Sequence, residues 1–394
     1  MLKNILLVNA TYFPDLGGAG IVAKNSAEEL KNNGYKVTVF CGGKINKTEN
    51  INGINIIRND TKKESSPYVL ENYYNKKIEN KFLKIVKKNK IEIIHFHSIQ
   101  GLGANLVELS LKKGIKTILT MHDFWWICPL LFLNDEYLSS TPVKNHHQHC
   151  TSLIKQKKLI DRRNYLFNIL ENKNLIITTV SNSMKKGLEY AELPNTSTYI
   201  CIENGLNIDF KKENLIEKKT NRKIQFAYFG GENIGKGFDL IFKASKLLKL
   251  NTNNFEINLY GIYRPYLKSI INHKLLKKHK IKLHGIYKNE EISDIFSKTD
   301  IVLIPSQMYE SFSLIAREAL ISGKIIISSG MGGLSEIVNN KHVIYNKISS
   351  FDLAKKMFYV MNNLDELNKM KEKIKCISLK EQSKLYQKLY NNEE

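Results

Sequence analysis

At 394 residues the chain is long for one hydrophobic core, and two domains are the natural division. Its apolar content of 42% is that of an ordinary globular protein, and no run of about 18 apolar residues occurs, so a membrane-spanning helix is not expected. The 60 Lys and Arg outnumber the 38 Asp and Glu to give a net charge of +22, which points to an anionic ligand: a nucleotide diphosphate, an anionic lipid leaflet or a nucleic acid.

Along the first half, short apolar runs alternate with stretches of helical period. Residues 1–9 are too short and too soon polar for a signal peptide, and 5–8 read as a first buried strand. A helix over 21–32 follows, ending before Gly34, and then strands at 37–40 and 54–57. A basic amphipathic helix covers 75–88, a strand 91–97, a helix 106–113, a strand 117–120, a strand 175–180 and a helix 183–190. The alternation argues for a doubly wound parallel sheet.

A second series opens with a strand at 224–229. A helix at 239–250, a strand at 255–260, a strand at 281–284, a helix at 290–298 and a strand at 300–304 follow. Residues 314–320 and 325–327 complete a βαβ unit, and 353–390 read as a charged helical tail. The expected fold class is therefore α/β, with two Rossmann-like doubly wound parallel-sheet domains. The first spans 1–204 and the second 205–372, and a C-terminal helix in 373–394 is placed to cross back to the first. Five cysteines, at 41, 128, 150, 201 and 376, form no CxxC pair, so a reduced, cytoplasmic setting without a zinc ribbon is expected.

Four constellations carry chemistry. Gly17 and Gly18 lie between the first strand and first helix, where glycines admit close backbone approach and a helix start offers N–H groups to an anion; a tight turn is the plain alternative. His122-Asp123-Phe-Trp125-Trp126 follows a strand end, where such sheets place ligands. His122 can donate to a hydroxyl or take a proton, and the two tryptophans, the only ones in the chain, either fill the core or wall an acceptor groove. Phe229-Gly230-Gly231-Glu-Asn-Ile-Gly-Lys236-Gly237 runs from a strand through glycines to a lysine that can neutralise a leaving diphosphate. It lacks the GK[ST] ending of a Walker loop. In Glu310-Ser-Phe312-Ser313-Leu314-Ile-Ala-Arg-Glu318, one carboxylate sits before a helix and the other two turns along it, so they suit different parts of an extended ligand.

Together these segments resemble the family 4 glycosyltransferases, enzymes of the GT-B architecture. The matching elements are Glu310 and Glu318, Lys236-Gly237, His122-Asp123-Phe124-Trp125 with Cys128-Pro129, Asn204-Gly205, Gly332-Gly333-Leu-Ser-Glu336 and Gly17-Gly18, collinear over roughly residues 1–345. The resemblance implies two domains facing across a cleft. It places Glu310 at the donor sugar, Glu318 at the ribose, and the N–H groups of Phe312, Ser313 and Leu314 at the diphosphate. Gly230 and Gly231 join the donor loop, and Gly17 and Gly18 make room for the diphosphate or the acceptor. Lys236 balances the leaving charge, His122 contacts the sugar, and Asp123, Trp125 and Trp126 face the acceptor. Catalysis then rests on Glu310, His122 and Lys236. One departure stands out: Gly231 occupies the place of the family's usual arginine, and Arg264 and Arg317 are the candidates to replace its charge. Ser313 also stands where glycine is common.

The implied reaction moves a hexose from a nucleotide diphosphate sugar, such as a UDP- or GDP-hexose, to a hydroxyl of a glycan or lipid-linked acceptor, with retention of configuration. It would serve bacterial surface polysaccharide or glycoconjugate synthesis. No cofactor and no metal is expected, since the acidic run Asn134-Asp-Glu136 falls in a loop of the first domain. A hydrolysing nucleotide-sugar epimerase, or a non-catalytic sugar-binding or partner protein on the same fold, are the alternatives. Basic stretches at 75–90 and 155–163 suit peripheral contact with an anionic membrane, placing the protein in the cytoplasm at the inner face of the cell membrane. No nucleic-acid module is recognisable.

Overall fold

The computed structural model describes residues 3–14, 17–61, 70–128, 156–207, 222–249, 252, 254–262, 273–345, 347–370 and 374–393. It divides into two compact units. One holds the described residues up to Gly205 together with Ile377–Glu394, and the other runs from Leu206 to Cys376.

The first unit is built on eight strands: β1 (Asn4–Asn9), β2 (Lys36–Gly43), β3 (Lys47–Ile51), β4 (Ile54–Asp60), β5 (Ile93–Phe96), β6 (Lys116–Met121), β7 (Leu175–Thr179) and β8 (Ile200–Cys201). Their order is β3-β4-β2-β1-β5-β6-β7-β8, all parallel except β3. Ile5 to Val8 are each fully buried, as a central parallel strand covered on both faces requires. Helices α1 (Gly18–Asn32), α2 (Glu79–Lys88), α3 (Asn105–Lys112), α4 (Gln156–Leu170) and α5 (Asn182–Tyr190) belong to this unit. Strand β3 was not expected, because Lys47-Thr-Glu-Asn-Ile51 is polar and lies on the sheet edge. Its signal was the turn: Asn52 and Gly53 have φ of 51° and 76°, the hairpin pair that reverses a chain in two residues.

The second unit carries a six-stranded parallel sheet: β9 (Ile224–Tyr228), β10 (Phe255–Leu259), β11 (Ile281–Leu283), β12 (Ile301–Ile304), β13 (Ile325–Ser328) and β14 (Val343–Tyr345), in the order β11-β10-β9-β12-β13-β14. Its helices are α6 (Phe238–Lys249), α7 (His273–Lys278), α8 (Ile292–Ser297), α9 (Leu314–Ile321), α10 (Ser350–Asn362) and α11 (Leu364–Lys369). The fold class is thus two α/β parallel-sheet domains.

The charged tail is not one helix. After α10 and α11, a new helix α12 (Leu379–Asn391) begins at a capping box, with the Glu381 N–H donating to Ser378 Oγ at 3.2 Å and the Ser378 N–H donating to Glu381 Oε2 at 2.7 Å. Gln382, Ser383, Tyr386 and Tyr390 form its buried face. The two tyrosines join the first unit's core with Ile5, Val39, Ile93 and Ile118. A Cβ on Gly205 would lie 2.8 Å from Leu379 Cα, so a glycine there lets the start of α12 close in. Among the described residues no helix is long and apolar enough to cross a membrane.

Candidate active site

In the second unit two loops leave the C-terminal ends of the paired strands β9 and β12. The backbone sews them together: the Gln307 N–H donates to Gly235 O at 2.7 Å, Gln307 Nε2 to Ile234 O at 2.9 Å and Ser306 Oγ to Gly235 O at 3.3 Å. This brings Lys236, in a short turn at Ile234–Lys236, to Glu310. Its Nζ lies 2.7 Å from both carboxylate oxygens, and Ser306 Oγ donates to Oε1 at 2.8 Å. Glu310 is buried while the lysine keeps part of its surface in solvent. The pair is a charge-assisted contact with one end open.

The main chain of Glu310 is fixed from a third direction. It pairs with Gly332 in an isolated parallel bridge, and its carbonyl accepts from the Gly333 N–H at 2.6 Å. Gly332 has φ of 61°, and a Cβ there would come within 2.8 Å of Glu310 N, so the glycine pair is needed to seat the loop. Arg317 locks the same corner: its guanidinium lies 3.7 Å from the Phe312 ring centroid, donates to the Phe312 carbonyl and pairs with Glu336 at 3.3 Å. Arg317 is 2% exposed and committed to these groups, which corrects the expectation that it could supply the missing cation. Arg264, the other candidate, lies outside the described residues.

The loop then enters α9 through Ser313, whose φ of 67° is in the left-handed region and whose side chain makes no capping bond. With no side-chain cap, the N–H groups at this helix start have no intrahelical carbonyl to bond and suit an anion. Glu318, two turns along, is buried among apolar neighbours; loss of solvation pushes its carboxyl up to about 7. The Tyr287 phenol is close enough to feel its charge.

The glycines of the β9 loop do different work. A Cβ at Gly230 would collide with the Tyr228 ring and come within 2.8 Å of Lys236 Cβ, so this glycine makes room for protein packing rather than for a ligand. Gly231 has φ of 63°, and a Cβ there would lie 3.3 Å from Gly261 O. A side chain at this position would have to hold a left-handed backbone, a strained conformation for any residue but glycine.

In the first unit β6 delivers His122 and Asp123. His122 Nε2 lies 2.8 Å from Nδ1 of His97, whose ring stacks on that of His95 with centroids 4.2 Å apart. His95 in turn bonds Tyr390 OH and Thr120 Oγ1, both at 2.7 Å. Burial lowers the His95 and His122 imidazoles to about 3, and that of His97 well below its ordinary value, so all three are neutral. Asp123 accepts from the Trp125 N–H and from Gln100 Nε2, each at 2.9 Å; burial outweighs these bonds and raises its carboxyl to about 6.

Trp125 and Trp126 are 1% and 3% exposed, so they support this loop from beneath instead of walling an open groove. Arg162 lies under Trp125, 4.7 Å from its ring centroid, and donates to its carbonyl. Arg162 is buried, while Lys157 and Lys158 of the same stretch stay exposed. A Cβ on Gly17 or Gly18 would meet nothing within 4 Å, so neither glycine is required by packing. Pro129 and the run 134–136 lie outside the described residues.

Two family models match consecutive parts of the chain: Glycosyltransferase Family 4 over residues 16–210 and Glycosyl transferases group 1 over residues 209–376. The chain belongs to the family 4 glycosyltransferases. It is 27% identical to an uncharacterized glycosyltransferase of Methanocaldococcus jannaschii, over 86% of this chain and 83% of that protein. It is 25% identical to an uncharacterized 42.6 kDa protein in the cps region of Klebsiella pneumoniae, over 85% and 87%. A sucrose-phosphate synthase from Thermosynechococcus elongatus shares its fold with a TM-score of 0.69 at 16% identity, covering 99% of this chain and 98% of the other. Anabaena HepE, solved with UDP-glucose, does so with a TM-score of 0.63 at 13% identity, covering 98% and 94%.

Against this glycosyltransferase frame, the residues that sequence reasoning passed over are Ser306 and His97. Ser306 carries no motif, and only the loop's folding back shows it. His95 and His97 sit two apart at a strand end, so a strand period already puts both rings on one face.

Proposed function

We propose that this glycosyltransferase moves a hexose from a nucleotide diphosphate sugar to a hydroxyl of a glycan or lipid-linked acceptor, with retention and without a metal ion. The observation that carries the reading is Lys236 held by both oxygens of a buried Glu310 beside the uncapped start of α9. Anionic oxygens of a diphosphate can exchange into such a contact: the lysine is half open to solvent, and the helix N–H groups add a fixed positive field. Glu310 is then released toward sugar hydroxyls, Glu318 accepts from the ribose, and the leaving phosphate takes the acceptor proton in a same-face attack. His122 contacts the sugar as a neutral group. The UDP-glucose complex of HepE supports a nucleotide-sugar donor, and the capsular-region relative supports a surface-polysaccharide product. Contact with an anionic membrane remains part of this proposal, carried by the basic residues of α2.

The test is a donor panel: several sugar nucleotides are mixed with the protein, and thermal stabilisation and slow release of nucleoside diphosphate are followed. One or two sugar nucleotides should raise the melting point and be hydrolysed. NMR of the product formed with a competent acceptor should show the donor's anomeric configuration. Silence across the whole panel, or an inverted product, removes the reading. Stabilisation without turnover in the presence of a competent acceptor would favour a sugar-nucleotide-binding protein instead, a role that Gly231 in the arginine position also favours.

A further inference from the structure

His122 takes its orientation from a neighbour that no motif includes. Its Nε2 is engaged by His97 Nδ1 at 2.8 Å, and among the described residues nothing bonds His97 Nε2, which is buried. Two neutral imidazoles in such a contact must divide the roles, one donating and one accepting. If His97 carried its proton on Nε2, His122 would donate from Nε2 to the bare Nδ1 of His97, and the His97 N–H would be buried without an acceptor among the described residues. If the proton is on Nδ1, His97 donates to His122, and only a lone pair is left over. An orphaned buried donor is the rarer and costlier outcome.

The assignment propagates. His122 Nε2 accepts, so its own proton sits on Nδ1, the nitrogen with no partner among the described residues. We propose that His97 is a positioning residue that fixes His122 as a neutral imidazole with its hydrogen on Nδ1, so that the group offered to substrate is an N–H donor and not a base. The ring of His97 is itself clamped: His95 stacks on one face at 4.2 Å and His122 on the other at 5.1 Å, and His95 is tied at both nitrogens to Tyr390 and Thr120. Tyr390 belongs to α12, so the last helix of the chain ends a line of contacts that begins at His122. Neutrality follows from the same packing, since a proton on any of the three rings would be desolvated and close to the next.

The inference rests on His122 meeting the substrate, and the experiment separates the two ideas. Long-range ¹H–¹⁵N correlation spectra of the full chain, labelled in histidine and assigned with His122→Asn, distinguish a protonated ring nitrogen from a bare one. His122 should show a protonated Nδ1 and a bare Nε2. In His97→Phe, which keeps an aromatic ring between His95 and His122, this preference should be lost; in His97→Gln, whose amide can still donate to Nε2, it should persist. Donor hydrolysis should fall roughly tenfold in kcat with little change in KM in the phenylalanine variant, and recover in the glutamine variant. A wild-type His122 protonated on Nε2, or a preference that survives in His97→Phe, overturns the proposal. A lost preference with unchanged turnover supports it and removes His122 from contact with the sugar. Should His97→Phe fail to fold, the wild-type spectrum and the glutamine variant still decide.

Discussion

In the second unit Lys236 and Glu310 meet as opposite charges, one buried and one half open to solvent. In the first unit His95, His97 and His122 meet as neutral rings, held by stacking and by tyrosine and threonine hydroxyls. The charged pair can trade partners with an anion because its lysine reaches water. The ring column cannot, because its rings are buried and stacked and a further proton has nowhere favourable to go. A group that must release and retake a diphosphate gains from the first arrangement. One that must present a fixed hydrogen gains from the second. The two sites should therefore differ in their response to truncation and to pH.

The largest effect should come from Lys236→Ala. Without the ammonium, Glu310 keeps Ser306 as its remaining side-chain partner, and the buried carboxylate loses its counter-charge. Stability should drop by about 2 kcal/mol, less than the roughly 3–5 kcal/mol for breaking a fully buried pair because the lysine is partly solvated. Transfer should fall by about 100-fold or more if, as proposed, this charge balances the leaving diphosphate. Urea unfolding and initial rates read the two separately. Adding Glu310→Gln in the same chain should restore most of the stability and none of the rate. Full activity in Lys236→Ala would erase the contrast between the two regions.

The pattern of what could be read in advance follows the same division. The central strands announced themselves as apolar runs, because both faces of β1, β5, β6, β12 and β13 are covered. Lys236 and Glu310 stood out through the motifs that resemble the family, Lys236-Gly237 and the pair Glu310 and Glu318. The polar edge strand β3 has no solvent-shielded face to demand hydrophobic residues, so only its Asn-Gly turn marked it. Short β8 and β14 carry too few residues for any period to show. Within the charged tail, the start of α12 is marked by the capping box of Ser378 and Glu381. The packing of Tyr386 and Tyr390 against Thr120 and His95 joins residues more than 260 apart in the chain, which no local pattern encodes.

Proton linkage sharpens the comparison next. Glu318, raised by burial from the ordinary glutamate range to about 7, binds a proton in the folded state over a pH range where the unfolded chain has lost it. Its contribution to stability is therefore fully present at low pH and is lost as pH rises through about 7. Above that, the folded protein carries a poorly solvated carboxylate, and Glu318→Gln should be the more stable protein by about 3 kcal/mol at pH 8, with the difference vanishing near pH 4. The same substitution should weaken donor binding, because a ribose is better held by an ionised carboxylate; in the native chain the donor KM should fall between pH 6 and 8. The histidine column, with His95 and His122 lowered to about 3 and His97 well below its ordinary value, should add no inflection in that range. Thermal melts and donor titrations across pH decide both points. An inflection in kcat near 6.5 that persists in Glu318→Gln and Asp123→Asn would mean that the rings do titrate.

The smallest effect concerns the backbone that carries the charged site. Ser313 holds φ of 67° at the entrance to α9, a conformation that a side chain makes strained and that glycine adopts freely. Its hydroxyl makes no capping bond, so removing it sacrifices no hydrogen bond at the helix start. Ser313→Gly should stabilise the folded chain by about 0.5 kcal/mol: relief of the left-handed strain, on the order of 1 kcal/mol, is offset in part by the greater freedom of glycine in the unfolded state. Donor affinity should stay within about twofold, since the N–H groups at the helix start keep their directions. Equilibrium unfolding and a donor titration measure the two. A clear loss of affinity would show that the serine side chain itself touches the donor, and the second unit's anion site would then depend on a hydroxyl as well as on charge and helix start.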